Sequence, residues 1–352
     1  MSVANLYVHF PFCRRKCGYC ALYSRAGVSQ AERDDYVLNL AREIGAERRT
    51  LRAGLRTVYF GGGSPALCNL GLLKDALAPL LPHPSSPIPH PSSLSPCEFT
   101  VELHPHDVTE PKLAELKALG VNRISMGVQS LDDAILADMG RGYTVSEAMQ
   151  AFALVTRCFD NAGIDLIVGY PGEKGDVASW RAGLERFFKM GLKHCSVYSL
   201  QNERGLENVP DDDWTLDRLR CLARCLREIG LERYEISNYA VPGYECRHNL
   251  AVWRGEDYRG IGEGAYGRIG LVRTVGRKTG VETSKASPEE DLKERTLFRL
   301  RTRDGLDAAR FPEWGQTLGK YVQEGLLTQE GAVYRLTERG SEVCDSILAD
   351  LV

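Results

Sequence analysis

Three cysteines near the start of the chain form its most specific chemical pattern, because Cys13, Cys17 and Cys20 follow a Cys-x3-Cys-x2-Cys spacing. Three thiolates so close in sequence suit a [4Fe–4S] cubane. Such clusters are normally held by four cysteines, so a site with three leaves one iron open to another ligand. Structural zinc is the alternative, but zinc needs a fourth ligand, and neither His9 nor Cys68 has zinc-finger spacing. The spacing therefore favours an iron–sulfur cluster with an open position.

A glycine run, Gly61-Gly62-Gly63-Ser64-Pro65, is the second candidate for ligand binding. Glycines have no side chain to obstruct a ligand, and their backbone amides can donate to it. A glycine run alone is most often just a turn. Its position directly after a predicted strand favours a functional interpretation, in which the amides of the run face the ligand.

Short apolar runs precede both motifs and recur along the chain. Six of them predict strands: Leu6–Phe10, Thr57–Phe60, Phe99–Leu103, Arg123–Val128, Ile164–Val168 and Cys195–Leu200. A helical pattern follows each run; Pro111, for example, lies at the start of a helix that Gly120 ends. These repeats predict an α/β fold with a partial (β/α)6 TIM-like barrel over residues 1–230, whose working face lies at the carboxyl ends of the strands.

The remainder of the chain has a different amino-acid composition and a different pattern of predicted elements. Residues 231–287 are rich in Tyr, Gly and Arg and predict a β-extension of the sheet. Residues 288–352 predict two helices, a hairpin and a last helix capped by Thr337, an order that resembles a winged helix and suits a packing module. A repeated Pro-His-Pro-Ser-Ser sequence predicts a flexible Pro- and Ser-rich loop at 82–97.

Composition is typical of an ordinary soluble protein. The 352 residues include 44 Lys and Arg and 47 Asp and Glu, which gives a net charge of −3. The chain therefore lacks the excess of positive charge that is typical of nucleic-acid-binding proteins. No apolar stretch has the length of a membrane span, and Met1–Asn5 lacks the basic start of a secretory signal, so we expect a cytoplasmic protein. In that reducing compartment, the eleven cysteines favour a metal over disulfides. Most of the other eight cysteines are expected to pack as small buried hydrophobic residues, whereas Cys68 and Cys97 are expected to be exposed near loops.

The cysteine motif after a first strand and the glycine motif after a second resemble the radical S-adenosylmethionine superfamily. That resemblance implies a [4Fe–4S] cluster on Cys13, Cys17 and Cys20 whose open iron binds S-adenosylmethionine. It also implies reductive cleavage of that cofactor to a 5′-deoxyadenosyl radical, driven by an electron donor such as flavodoxin or ferredoxin.

Five further segments resemble the oxygen-independent coproporphyrinogen III oxidase family: 101–105, 125–130, 140–141, 165–172 and 233–240. The similarity runs from about Leu6 to the final helix. By this resemblance, the contacts to S-adenosylmethionine fall on Tyr7, Tyr19, Gly62, Gly63, Ser64, Glu102, Gln129, Arg141, Asp165, Ser199 and Ile261. Glu102 suits ribose hydroxyls and Arg141 suits the methionine carboxylate. The simpler interpretation makes Glu102 and Asp165 capping or surface carboxylates, and Asp165 is expected near the start of its strand.

Two departures point to one branch of that family. Oxidases of this type usually have a fourth cysteine, where this chain has Leu22, and a long segment before the cluster. The heme-chaperone branch lacks both, and resemblance to it implies a protein that binds heme and delivers it to recipient apo-hemoproteins. The alternative is the oxidase itself, which decarboxylates coproporphyrinogen III oxidatively through the 5′-deoxyadenosyl radical. A homodimer is compatible with either function.

The heme-chaperone branch has a His-Asn-x-x-Tyr-Trp motif, and here His248-Asn249-Leu250-Ala251-Val252-Trp253 lies at the matching place, with valine instead of tyrosine. The resemblance implies that His248 is an axial ligand of heme iron, with Asn249 beside it and Trp253 against the macrocycle. Arg247 or Arg254 would meet a propionate. The alternative is an ordinary hydrogen-bonded histidine. Tyr266 also replaces a histidine that the family commonly has.

Overall fold

The computed structural model describes residues 3–51, 54–81, 97–174 and 177–352. The loop predicted at 82–97 lies outside these residues except for Cys97. The first part of the chain contains the strands β1 Asn5–Phe10, β2 Phe12–Cys13, β3 Arg25–Ala26, β4 Thr57–Gly62, β5 Glu98–Leu103, β6 Arg123–Gln129, β7 Asn161–Val168 and β8 His194–Ser199. Its helices are α1 Gln30–Ala46, α2 Lys74–Leu77, α3 Glu110–Leu119, α4 Asp133–Asp138, α5 Val145–Cys158, α6 Val177–Lys189 and α7 Asp212–Glu228.

All six predicted strands form, and they pair in parallel in the order β1-β4-β5-β6-β7-β8. Residues alternate between the two faces of each strand. In β1, Leu6, Val8 and Phe10 are buried in the apolar core, whereas Tyr7 and His9 line a cavity inside the barrel. The apolar half of the alternation therefore packs the helices onto the sheet, and the polar half faces the site.

Helix α3 illustrates how local sequence sets the element ends. The Thr109 hydroxyl accepts from the Lys112 N–H at its start, with Pro111 in the first turn. Gly120 ends the helix at φ 97°, a left-handed conformation that glycine adopts without strain. Leu113 and Leu116 face the core between these ends, so the predicted start, stop and apolar face of this helix are confirmed.

The segment after α7 widens the sheet at both edges. It contains β9 Glu232–Glu235, β10 Asn238–Ala240, α8 Arg247–Trp253, β11 Arg259–Ile261, β12 Tyr266–Ile269, β13 Val272–Arg277 and β14 Gly280–Lys285. Strands β10 and β9 continue antiparallel beyond β8, while β11 pairs in parallel with β1 at the opposite edge. The nine-stranded sheet therefore ends at β11 and β9, and β12–β14 form a separate antiparallel sheet. Helix α8, which contains the His248 motif, was not predicted.

The last part of the chain has its own apolar core. It contains α9 Pro288–Arg299, β15 Leu306–Asp307, α10 Gly315–Gln323, β16 Leu327–Glu330, β17 Val333–Leu336, α11 Glu338–Glu342 and α12 Cys344–Ala349. The strand order β15-β17-β16 with flanking helices is winged-helix-like. Thr337 caps α11 as expected, but the predicted last helix divides at Val343. None of the helices described here is both long and apolar enough to cross a membrane.

Candidate functional site

A large cavity of about 1290 Å³ occupies the inside of the barrel and opens at the carboxyl ends of its strands. Most of the predicted site residues line it: Tyr7, Cys13, Cys17, Tyr19, Cys20, Gly62, Gly63, Ser64, Glu102, Gln129, Arg141, Asp165, Ser199 and His248. They come from seven strands, from α8 and from the loops that follow β2, β4 and α4. Residues far apart in sequence therefore converge on one space.

The three motif cysteines are half-buried free thiols on this cavity. Burial raises the pKa of the Cys13 thiol, and the neighbouring thiols of Cys20 and Cys17 add to the effect while Arg141 opposes it. Among the described residues, no three His, Cys, Asp or Glu side chains converge on a single metal ion. Three thiols on one cavity suit a cubane, in which each thiolate binds a different iron.

His9 and Cys68, the two residues considered as a fourth zinc ligand, make other contacts in the structure. Nδ1 of His9 lies 3.0 Å from the Tyr7 hydroxyl and its Nε2 lies 3.0 Å from the Tyr23 carbonyl. Cys68 is buried in the apolar core beneath the helices. Neither residue is available as a fourth ligand beside the cysteine motif.

The glycine motif packs against the cysteine loop. A Cβ on Gly63 would lie 2.3 Å from the Phe12 carbonyl oxygen and 3.0 Å from Sγ of Cys13, so only glycine fits there. The expectation that the amides of the run face a ligand is not met, because the Gly62 N–H donates to Glu102 and the Gly63 N–H donates to the Phe10 carbonyl. The glycines position the cysteine loop instead.

Gln129 and Arg141 meet beneath the end of β6. The strand has a bulge between Gly127 and Gln129, and Gln129 adopts φ 73°, a left-handed conformation that is uncommon for a residue with a side chain. Arg141 Nη2 donates to the Gly127 carbonyl at 2.8 Å. Its Nε donates to the Tyr143 hydroxyl at 2.9 Å, which fixes the guanidinium plane beside Cys17. The bulge therefore brings the Gln129 side-chain amide and the Arg141 guanidinium to the same part of the cavity.

Glu102 and Asp165 are half-buried carboxyl groups that line the cavity. Glu102 accepts from the Tyr59 hydroxyl at 2.8 Å and from the Gly62 N–H at 3.0 Å. Burial raises the pKa of Glu102 to about 7, and the nearby Asp165 carboxylate adds to the rise. Asp165 accepts from Ser125 and lies in the middle of β7, since that strand begins at Asn161. The expected position near the strand start is wrong, and neither group is a helix cap or a surface carboxylate.

Three predicted contacts lie away from the cavity lining. Ile261, at the end of β11, is buried in the apolar core. Trp253 packs edge-on against Phe298 and lies under the Arg301 guanidinium. Asn249 lies on α8 but is not among the lining residues. On α8, His248 and Val252 face the cavity, because positions i and i+4 share one face of a helix.

His248 is held above a polar floor, a name we give to the first residues of the six barrel strands: Asn5, Thr57, Glu98, Arg123, Asn161 and His194. All six are buried. The Glu98 carboxylate accepts from the backbone N–H of Arg247 and of His248 and so anchors the start of α8. Burial lowers the pKa of His248 to about 3, and the Arg123 cation contributes. The imidazole is therefore neutral.

Other lining residues carry no motif that sequence reasoning could have used. Ile236, Tyr258 and Tyr266 contribute apolar surface, with Tyr266 exposed over 64% of its area. Arg277 and Lys278 at the end of β13, and Arg301 after α9, place cations on the same cavity. Their charge was visible in the sequence, but their convergence depends on the separate β12–β14 sheet and the last module.

The remaining cysteines do not form a second site in the described part of the chain. Cys68 and Cys97 are buried, so their expected exposure is wrong. The side chains of both belong to the apolar core. Cys246 is also fully buried, at the start of α8, where its Sγ lies 3.7 Å from a Glu98 oxygen.

Comparison with known protein families and sequences identifies relatives along the whole chain. Residues 7–198 match the Radical SAM superfamily, and residues 286–343 match the HemN C-terminal domain. The heme chaperone HemW of Bacillus subtilis is 30% identical, over 99% of this chain and 100% of that protein. HemW of Mycobacterium tuberculosis is 32% identical, over 99% of this chain and 94% of its own length.

The fold also has a solved counterpart. The structure of coproporphyrinogen III oxidase (HemN) from Escherichia coli is 21% identical, with a TM-score of 0.80 over 99% of this chain and 90% of that chain. This similarity concerns the fold, whereas the sequence relatives distinguish the branch. The resemblance seen in the cysteine and glycine motifs is confirmed, and the chain belongs to the radical SAM superfamily and, within it, to the heme chaperone HemW branch.

Proposed function

We propose that this protein binds heme in the barrel cavity and delivers it to apo-hemoproteins. The observation that carries the proposal is a neutral, buried histidine, His248, on the same cavity of about 1290 Å³ as three free thiols. A neutral imidazole is a good axial ligand for heme iron. The naming of full-length relatives as heme chaperones supports the same function.

The cavity lining suits a flat apolar macrocycle with acidic substituents. Val252 and Tyr258 supply apolar surface near His248, and Ile236 lines the same cavity. Arg277, Lys278 and Arg301 supply cations, which favour carboxylates through charge-assisted hydrogen bonds. These three replace Arg247 and Arg254 as our candidates for contacting the propionates, because neither Arg247 nor Arg254 lines the cavity.

The cysteine side of the cavity supports the cofactors implied by the superfamily. Cys13, Cys17 and Cys20 would hold the [4Fe–4S] cluster, and Arg141, Gln129 and Glu102 would hold S-adenosylmethionine beside it. A bound cluster supplies one electron to that cofactor. Arg141 places a positive charge where a methionine carboxylate would bind, and the Gly62 amide together with Tyr59 fixes the Glu102 carboxyl group for ribose hydroxyls.

A reductant and a cellular location follow from this proposal. Arg15 and Lys16 are exposed on the loop between the cysteines, and cations there suit an acidic electron donor of the flavodoxin or ferredoxin type. We place the protein in the cytoplasm, where free thiols persist. We also retain the division into 1–230, 231–287 and 288–352, which is supported by the separate apolar core of the last module.

Heme titration tests the proposal directly. The purified protein should give a saturable Soret change with one heme per chain, and His248→Ala should weaken it while the reconstituted cluster is retained. Absence of saturable binding would overturn the proposal. Anaerobic conversion of coproporphyrinogen III would instead favour the oxidase, the second candidate, which is supported by the Arg141 guanidinium beside the Cys17 thiol.

A further inference from the structure

The hydrogen bonds beneath His248 determine which of its ring nitrogens carries the proton. Nδ1 of His248 lies 2.8 Å from Oγ1 of Thr57. The Thr57 hydroxyl lies 3.0 Å from Oδ1 of Asn5, its register partner on the neighbouring strand. Asn5 in turn donates through Nδ2 to the Asp257 carbonyl at 3.0 Å and to the Glu256 carboxylate at 3.3 Å.

Only one placement of protons satisfies this hydrogen-bonded chain of His248, Thr57 and Asn5, which we call the relay. Both partners of Asn5 Nδ2 are acceptors, so the amide nitrogen faces them and Oδ1 faces Thr57. Because Oδ1 can only accept, the single Thr57 hydroxyl proton is donated to it. Thr57 Oγ1 therefore accepts from His248, and the proton of the neutral imidazole lies on Nδ1.

The second ring nitrogen is left with its lone pair. Among the residues that the structure describes, the hydrogen bonds of His248 use its backbone N–H and Nδ1, and Nε2 has no hydrogen-bond partner. The ring is packed between aromatic side chains, with centroids 5.2 Å from Tyr59 and 6.2 Å from Tyr7. A histidine ligand of a metal commonly donates its other N–H to a fixed acceptor, which sets both tautomer and orientation.

We propose that Asn5 and Thr57 are positioning residues that hold His248 as the Nδ1–H tautomer and leave Nε2 free to ligate heme iron. The inference rests on the proposed heme function for the identity of the ligand. The tautomer itself is a property of the protein without heme. The two parts are therefore tested separately.

The tautomer is tested by 15N NMR of the imidazole groups in the heme-free protein near neutral pH, with the His248 signals assigned by their loss in His248→Ala. Wild type should show a protonated Nδ1 and an unprotonated Nε2. Thr57→Val, which keeps the branched shape but removes the hydroxyl, should shift His248 towards the Nε2–H form, and Thr57→Ser should restore the wild-type pattern. An Nε2–H tautomer in wild type, or an unchanged pattern in Thr57→Val, would overturn the inference.

Heme affinity tests the consequence for binding. Loss of a partner behind a metal-ligating histidine typically costs about 10- to 100-fold in affinity, so we expect that weakening in Thr57→Val and not in Thr57→Ser. Thr100→Val is the matched control, because Thr100 is equally buried on the adjacent strand and its hydroxyl has no hydrogen-bond partner. Full heme affinity in Thr57→Val contradicts the inference. If wild type itself binds no heme, the proposed function fails, and the NMR result still decides the relay.

Discussion

Nη1 of Arg141 lies 3.5 Å from Sγ of Cys17 and 3.4 Å from the hydroxyl of Tyr19. Arg141 follows α4, whereas Cys17 and Tyr19 belong to the loop between β2 and β3. One guanidinium thus connects the cysteine loop to the bulged end of β6. A cation at this position stabilises thiolates and attracts a carboxylate.

Arg141→Gln should weaken S-adenosylmethionine binding by about 10- to 100-fold, because a hydrogen bond to a charged group contributes about 1.5–3 kcal/mol. Equilibrium binding to the anaerobically reconstituted protein measures the change. Arg157→Gln, an exposed arginine on α5 outside the cavity, is the control and should bind normally. Equal affinity in both variants would place the carboxylate contact elsewhere.

Cys17→Ala should abolish the visible absorbance of the reconstituted protein and reduce bound iron, because two thiolates cannot hold a cubane firmly. Cys221→Ala removes a half-buried thiol that does not line the cavity and should keep both signals. If the cluster persists in Cys17→Ala, the ligand assignment is wrong.

Gly63→Ala should impair cluster assembly, because its Cβ would lie 2.3 Å from a backbone oxygen of the cysteine loop. Overpacking of this kind typically costs about 1–3 kcal/mol. Gly18→Ala is a matched control on the same loop, since an added Cβ there meets nothing within 4 Å. Iron content after reconstitution and thermal unfolding separate a local defect from general misfolding, and normal iron binding by Gly63→Ala would contradict the predicted clash.

Glu102 should make the folded state less stable as the pH rises. Its pKa is about 7 in the folded protein against 4.5 as the reference value, so the folded state holds the proton more tightly. The stability it contributes is complete below pH 4.5 and is lost as the pH approaches 7, by up to about 3 kcal/mol. Denaturant unfolding at pH 5 and pH 8 should show a steeper loss in wild type than in Glu102→Gln. Parallel profiles would show that Glu102 does not titrate in this range.

Val252→Tyr restores the tyrosine of the heme-associated motif on the face of α8 that lines the cavity. We expect it to tighten heme binding or change the Soret band, because the new ring would lie one helical turn from His248. Trp253→Phe, on the opposite side and packed against Phe298, should leave the heme spectrum unchanged. The reverse pattern would assign the macrocycle contact to Trp253.

The sequence predicted the barrel strands well because each combines an apolar face with a following helix signal. Most of the site residues that it identified, through motifs at the strand ends, line the cavity. It did not predict that Trp253 and Ile261 pack away from the cavity, because a motif gives spacing but not the face on which each residue lies. The polar floor could not be predicted either, because Asn5 and Arg123 resemble strand ends in the sequence and only the assembled sheet brings them beneath α8.

The pairing of β1 with β11 also has a consequence for how the protein is made. Asn5 and Glu256, which bond across this edge, are 251 positions apart in the chain. Contacts between residues so distant in sequence form late, because the entropy of closing a long loop must be overcome first. During synthesis, the barrel therefore emerges with one edge unpaired, and the support beneath His248 is assembled only after the ribosome has produced more than two-thirds of the polypeptide.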